Sequence, residues 1–531
     1  IKAGKTMINQ VNGNQLDGSL MNIYLRVFSA GQVKFFIPLL GPEAASKLKI
    51  GNNQASWTGS VNGLNYQVEL LLASHVWFWT VDLSSESAYQ ADLTYVQDLG
   101  LGESSFVESN EAYASQYIDH LVIKEAETIT VCSRQNQSQS GKYPYLQQGA
   151  FGALKSYSTD GFQFYGTAYK QTNIPLAMKQ ADLANQKYQY EFALTALRTP
   201  RFQVSLQTVR KTFYAAFLPD QPSDNQQKLF TAEQLRCEYE KLIKTKSEQD
   251  WTTQSPLQLK NSVLSGWQLT DAELQQLFPL EQRKQAEISS GQLLSFFDQQ
   301  RHHIVLPEKE IRQERMTGNV IMSYAKVEAG QPVLATTQYM CGIFASQTVF
   351  GNTNLNILST NTRNALNVFK ASGMRIWLKI AGTWKILTMP SLFCMSYEGA
   401  DWYYKLADDL LKVSVEAAAS GDGLLFEVES AQQREYDLRV VTQLDLQTLG
   451  KGLQLLNQNG SLAVLPAQDS LMAKRCPKLK YYYNFTDQQQ VEITDWGSET
   501  EKYLVFEYHS AQKIKFTLTT LAAKADFEIV K

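Results

Sequence analysis

The chain has 531 residues, 44% of them hydrophobic and 19% charged, with a formal charge of -3. That length favours two or three domains, each able to bury a core. The balanced charge excludes the electrostatic footprint of a nucleic-acid binder and any strong pull toward an anionic membrane, and the basic run Lys474, Arg475, Lys478 and Lys480 reads as solvated loop charge.

Residues 1–220 read as a first β-sandwich domain of short strands and turns. Tyr66, Val68, Leu70 and Leu72 alternate with Gln67, Glu69 and Leu71, the period of two of a sheet strand. His75–Asp82 is the next strand, with Trp77, Trp79 and Val81 on one face and Phe78 and Thr80 on the other. Ser84–Ser87 supplies a turn, and Asp92–Val96 returns as a strand.

Residues 221–300 read as a helical linker. Thr231 with Gln234, and Thr270 with Glu273, have the spacing of capping boxes that start helices. The first helix carries Leu235, Tyr239 and Leu242; the second carries Leu274 and Leu277 and stops at Pro279. Glu281–Phe297 is predicted helical, apart from Gly291.

Residues 301–531 read as a second β-sandwich domain, with strands at Met374–Ile380, Leu504–Tyr508 and Lys513–Leu518 and a hairpin turn at Gly382–Lys385. A faint internal repeat lays Trp57–Gly100 over Trp402–Leu446. It matches Trp57 to Trp402, Val68 to Val413, Leu70 to Val415, Asp92 to Asp437 and Val96 to Val441. Duplication and a shared strand–turn–strand plan both account for it.

The five cysteines are far apart with no CxxC, which fits a reducing compartment rather than a disulfide framework or a zinc site. Ile1–Gln10 is short and polar, and no apolar run reaches the ~18 residues that span a bilayer. A cytoplasmic protein is expected. The five histidines form no HExxH, and His302–His303 reads as a surface pair. There is no G-x-S-x-G elbow, Walker loop or dinucleotide fingerprint.

The least periodic stretch is Asp98–His120, which mixes acids, amides and tyrosines. Long loops on a rigid sandwich often carry function. These residue types suit sugar hydroxyls beside a flat ring; they also suit a loop held by its own hydrogen bonds, or a subunit contact.

Asn110–His120, preceded by Tyr95–Leu101, resembles the sandwich region of glycoside hydrolase family 94. Ser158–Tyr165 and Tyr188–Phe192 resemble further family segments, and Gly342–Gln347 with Gly351–Asn356 resembles the extra β region of the 1,2-β-oligoglucan phosphorylases. The resemblance implies a mainly β chain of two supersandwich-type domains. It implies inverting phosphorolysis of β-1,2-glucooligosaccharides to α-glucose 1-phosphate, with inorganic phosphate as co-substrate and no metal or organic cofactor. In the family the catalytic acid and phosphate site lie on an (α/α)6 barrel, and the sandwich region supports a homodimer and places loops near the active site. No such barrel is legible here, so no catalytic residue is carried over; the barrel is expected elsewhere in the same chain or in another. Asn110, Glu111, Tyr113, Gln116, Tyr117, Asp119 and His120 are the implied substrate or interface residues. A stand-alone β-glucan-binding module and a complete enzyme with its own carboxylate site are the competing readings.

Overall fold

Alternating side chains build adjacent antiparallel strands in the computed structural model of the chain. It describes residues 1–44, 46–246, 251–254, 262–323, 333–351, 357–360, 364–418, 423–445, 454–458, 461–466, 470, 473–474, 476–486, 491–498 and 501–520. Arg475 and Asn352–Asn356 of the segments above lie outside these residues.

Two units divide the chain: residues 1–169 with 174–260, and residues 170–173 with 261–531. The first contains β1 (Asn22–Ser29), β2 (Gln32–Pro38), β3 (Lys47–Gly51), β4 (Gln54–Val61), β5 (Leu64–Leu72), β6 (Val76–Ser85), β7 (Tyr89–Asp98), β8 (Ile118–Glu125), β9 (Thr128–Gln135), β10 (Tyr145–Ala150), β11 (Ser156–Asp160), β12 (Ala193–Arg198) and β13 (Val209–Leu218). They form a long sheet, β8-β9-β10-β13-β6-β5-β4-β3, and a short one, β11-β12-β7-β1-β2. Trp77, Trp79 and Val81 of the long sheet meet Leu25, Leu93 and Leu197 of the short sheet in one core. The other face of β6 sends Phe78 into a second cluster with Leu235.

The second unit repeats this plan. Its strands are β14 (Met374–Ile380), β15 (Thr383–Leu387), β16 (Leu392–Met395), β17 (Gly399–Lys405), β18 (Leu410–Ala417), β19 (Gly423–Ser430), β20 (Tyr436–Gln443), β21 (Gln454–Gln458), β22 (Ser461–Leu465), β23 (Tyr481–Phe485), β24 (Val491–Ser498), β25 (Glu501–Ala511) and β26 (Lys513–Thr519). The long sheet runs β21-β22-β23-β26-β19-β18-β17-β16 and the short one β24-β25-β20-β14-β15. Each of these thirteen strands of the first unit therefore has a counterpart in the same chain order and the same sheet position, β1 with β14 through β13 with β26. The register agrees too: Trp57 pairs with Val68 and Ala55 with Leu70, as Trp402 pairs with Val413 and Ala400 with Val415. The faint repeat is thus structural. Strands at 284–305 extend the long sheet beyond β16, and strands at 318–350 extend the short sheet beyond β14.

The stretch 221–300 is shared between the two units rather than forming a separate helical linker. Both capping boxes form, at Thr231 with Gln234 and at Thr270 with Glu273. The first helix, Ala232–Thr245, covers β6 of the first unit through Leu235 and Tyr239. The second, Asp271–Leu277, buries Leu274 against Phe296 and Leu392 of the second unit. The predicted helix over 281–297 is instead a hairpin of strands Lys284–Ser289 and Gln292–Phe297. Ser290 and Gly291 take φ of 51° and 77°, the left-handed pair of a two-residue hairpin turn that a helix cannot contain. Phe296 then enters the core around Leu392 with Leu293 packed against it, on a strand paired from Lys284 to Phe297 and not on a helix.

Trp402 is fully buried between Phe344 and Phe393, while Trp57 is only partly buried. Trp402→Ala is expected to destabilise the second unit by about 3–5 kcal/mol, read as a lower denaturant midpoint, and Trp57→Ala by less.

Candidate functional site

In a structural repeat, unequal connections mark what one copy does and the other does not. Two of the enlarged connections of the first unit carry segments singled out above. Residues 99–117 join β7 to β8, where the second unit uses 444–453; residues 161–192 join β11 to β12, where it uses 499–500. These two connections meet. Gln116 Nε2 donates to Glu191 Oε1 at 3.2 Å, and Gln189 Nε2 donates to the Gln116 carbonyl at 2.8 Å. Gln10 Nε2 bridges them, donating to Ser115 Oγ at 2.8 Å and the Glu191 carbonyl at 3.1 Å.

The first connection folds into two single-turn-scale helices, α1 (Ser104–Ser109) and α2 (Glu111–Gln116). Asn110 ends one and caps the other, its Oδ1 accepting from the Tyr113 amide at 3.1 Å. Buried side chains hold the backbone from beneath. Asp98 accepts from Asn9 Nδ2 at 2.6 Å and the Val11 amide at 2.9 Å, while burial pushes its carboxyl above the usual range. Gln135 donates to the Ala114 carbonyl at 3.0 Å, and Gln139 accepts from the Glu103 amide at 2.9 Å. Gln135 and Gln139 lie outside the segment that sequence reasoning singled out.

The second connection is fixed by two buried arginines. Arg26 of β1 makes a two-pronged contact with Asp92 of β7, Nε to Oδ1 at 2.9 Å and Nη2 to Oδ2 at 2.6 Å. Its Nη1 donates to the Gln180 carbonyl at 2.5 Å. Arg198 of β12 donates to Thr94 Oγ1 at 2.9 Å and to the Ala177 carbonyl at 2.6 Å; burial and then Arg26 lower its pKa to about 10. At the start of this connection, Asp160 caps the helix α3 (Gly161–Tyr165), and Gly161 has no room for a side chain: a Cβ there would lie 2.4 Å from the Phe192 ring. Thr159 clamps Tyr188, accepting from its amide at 2.7 Å and donating to its carbonyl at 2.9 Å.

The outer surface of this cluster is aromatic. Tyr113, Tyr188 and Tyr190 are exposed. Tyr113 packs against Tyr117 with centroids 4.8 Å apart and against Phe106 at 6.1 Å, and Tyr190 packs on Phe162 at 5.8 Å. Tyr113 Oη donates to Tyr117 Oη at 3.3 Å, and that bond raises the Tyr113 pKa. Glu111 stands in the first turn of α2, and Glu108 accepts from Asn12 at 2.9 Å. Flat rings beside acids and amides can stack a sugar ring and bond its hydroxyls, or bury against another protein surface.

The seven sequence-derived residues therefore divide. Asn110 and Gln116 hold the loop, and Tyr113 and Tyr117 form its surface with Glu111 beside them. Asp119 is half-buried on β8, its carbonyl accepting from Asn225 at 3.2 Å. His120 is buried, its Nδ1 2.9 Å from Ser133 Oγ, so it does not reach that surface. Sequence reasoning missed Gln189 and Glu191 as partners of Gln116. Beside α1 lies a cleft of about 590 Å³ lined by Lys5, His75, Glu103, Gln139, Lys142 and Phe217, among others. Among the described residues no group of three or more His, Cys, Asp or Glu could hold a metal ion, and no helix is long and apolar enough to cross a membrane.

Residues 1–215 match the SOGP N-terminal domain, and residues 278–530 match the glycoside phosphorylase supersandwich domain. The 1,2-β-oligoglucan phosphorylase of Listeria innocua serovar 6a is 32% identical over 537 residues, covering 100% of this chain. The two matched domains together take in most of the chain. The chain spans 47% of that relative's length, about half. The two SOGP domains coincide with the two sandwich units, and the enlarged connections fall in the N-terminal one. Among solved structures, a polysaccharide lyase is 8% identical with a TM-score of 0.23, covering 79% of this chain and 38% of its own. The chondroitin AC lyase of Streptomyces coelicolor A3 is 6% identical with a TM-score of 0.15, covering 90% and 36%.

The repeat supplies an internal control for the arginine cluster. Asp437 is the counterpart of Asp92 and meets Lys379 of β14 at 3.0 Å, the Lys379 and Asp437 side chains being 38% and 25% exposed, against 1% and 3% for Arg26 and Asp92. Asp92→Ala leaves a buried cation and is expected to cost about 3–5 kcal/mol. Asp437→Ala is expected to cost about 1 kcal/mol or less, and paired denaturant melts measure both. Burial lowers the His120 pKa from 6.5 to about 3. The unfolded chain thus binds a proton that the folded one refuses, and stability falls as pH drops from 6.5 toward 3. Denaturant midpoints measured across that range are expected to show a slope reduced by up to ~1.4 kcal/mol per pH unit in His120→Gln.

Proposed function

We propose that this chain is the non-catalytic, amino-terminal part of a β-1,2-glucooligosaccharide phosphorylase. The observation that carries this reading is the 32% identity to a 1,2-β-oligoglucan phosphorylase along the whole chain, combined with a span of 47% of that protein. In the complete enzyme, inorganic phosphate attacks the anomeric carbon of a β-glucoside from the face opposite the leaving oxygen. One carboxylic acid protonates that oxygen, and α-glucose 1-phosphate leaves with inverted configuration. Phosphate is the co-substrate, and the reaction needs no metal or organic cofactor. The acid and the phosphate site belong to an (α/α)6 barrel in the same or another chain of a cytoplasmic enzyme.

The two sandwich units support that barrel and the contacts of a homodimer. The loop bearing Asn110, Glu111, Tyr113, Gln116 and Tyr117 meets the glucan or the neighbouring subunit. Its anchoring favours this role: Gln135, Gln139 and the Gln116–Glu191 contact hold the backbone, so the exposed tyrosines are presented on a rigid support. Asp119 steadies the strand that follows. The exposed tyrosines also favour a second reading, a stand-alone β-glucan-binding module.

Glucose 1-phosphate release from sophorose-type oligosaccharides with inorganic phosphate separates these readings. The chain alone is expected to release none, and activity is expected once a barrel chain is supplied. Release by the chain alone would place a catalytic acid within these residues and defeat the proposal; glucan binding with no activity in any combination would favour the binding module.

A further inference from the structure

The second unit holds a cleft of about 400 Å³. Its lining comes from Gln300–His302, from Cys394 and Ser396–Asp401, and from Glu416 on β18. Both of its turns are fixed. Ser396 Oγ accepts from the amides of Glu398 at 3.1 Å and Gly399 at 2.9 Å, and the Ser396 amide donates to the Gly399 carbonyl at 2.9 Å. The tip of that turn is Tyr397, 92% exposed. Across the cleft, Asp298 Oδ1 accepts from the His302 amide at 2.8 Å, and its carboxylate meets His302 Nδ1 at 2.9 Å. Arg301, inside this turn, takes φ of 68°, a left-handed conformation that costs free energy in a non-glycine residue.

The carboxylates differ in their surroundings. Asp401 accepts from Ser414 Oγ at 2.7 Å and meets Lys412 Nζ at 3.1 Å. The Glu416 side chain is half-buried; burial, and then Asp401, raise its pKa, while Lys412 and Lys515 oppose the rise. A polar outer sheet face would account for the charges. It would not account for two fixed turns, a strained arginine and a tyrosine held in water over the same cleft.

We infer that this cleft binds a neutral saccharide, one sugar ring lying on Tyr397 and its hydroxyls bonded by Glu416, Asp401 and Arg301. A tyrosine ring presents a flat apolar face at low entropic cost, and carboxylates and guanidinium groups supply the acceptors and donors that hydroxyls match. Glu398, Asp401 and Glu416 outweigh Arg301, so an anionic saccharide is repelled. The choice of a β-1,2-glucan as the saccharide rests on the function proposed above; the cleft's affinity for a neutral sugar does not.

Calorimetric titration of the whole chain with sophorotetraose, cellotetraose and a chondroitin tetrasaccharide tests this. A neutral saccharide is expected to bind, Tyr397→Ala to weaken it about tenfold or more with an unchanged melting temperature, and Leu206→Ala, at an exposed residue of the first unit outside both surfaces, to leave that binding intact. Binding that survives Tyr397→Ala but is lost in the Tyr113→Ala/Tyr117→Ala pair would overturn the cleft and leave the proposed loop standing. Cellotetraose bound through Tyr397 in preference to sophorotetraose would uphold the cleft and count against the β-1,2-glucan reading. Failure of either neutral sugar to bind, or preference for chondroitin, would sink the inference.

Discussion

The first unit depends on a buried charge that cannot be left alone. Arg26 and Arg198 sit inside the short sheet, and Asp92 is the buried carboxylate that Arg26 grips with two hydrogen bonds. Two guanidinium groups carry ten donors, far more than one carboxylate can accept. The surplus goes to the carbonyls of Ala177, Gln180 and neighbouring residues of the 161–192 connection. That connection therefore cannot lift away without stranding desolvated cations, an outcome costing several kcal/mol. It is pinned to the sheet at its middle. Its far end, Gln189 and Glu191, is then delivered to Gln116.

The second unit shows what the same position does without that demand. Asp437 occupies the place of Asp92, yet its partner is Lys379, and both are partly open to water. A lysine offers a compact charge that water can satisfy; an arginine offers a planar fork that can bind a carboxylate and still reach backbone carbonyls. Where a long connection covers the sheet, the pair is buried and arginine serves. Where β24 and β25 are joined only by residues 499–500, an exposed lysine suffices. The difference in connection length and the difference in cation are two sides of one constraint.

Much of this was legible from local pattern and little from distant contact. The period of two in Tyr66–Leu72 and His75–Asp82, the two capping boxes, and the turn at Gly382 are local, and the structure realises each of them. The repeat was visible because inward residues such as Trp57 and Trp402 pair at the same register with Val68 and Val413. The hairpin at 284–297 was hidden because its apolar residues also satisfy a helical spacing, and only the φ of Ser290 and Gly291 decides between them. His120 looked like a site residue by its neighbours in sequence, but the alternation of β8 turns it inward to Ser133. Arg26, Arg198 and Gln135 gave no signal, and Glu191, although inside the Tyr188–Phe192 segment, gave none of its contact with Gln116, since each acts on a partner remote along the chain.

A repeated sandwich offers the same set of connections twice, and stability asks only that both copies keep their sheets. The sheets here are matched strand for strand, so their sequences are bound by core packing and register. The connections are not so bound. In the first unit two of those that grow meet each other, and each is tied down by buried side chains of the sheets beneath. A loop that existed only to join strands would need neither the length nor the buried anchors, since residues 499–500 alone join the strands that correspond to β11 and β12. The cost of burying Asp98, Arg26 and Arg198 is offset only if the surface they hold in place has a use. Function in this chain is therefore to be sought at the ends of the strands, where the two copies differ, and not in the sheets, where they agree.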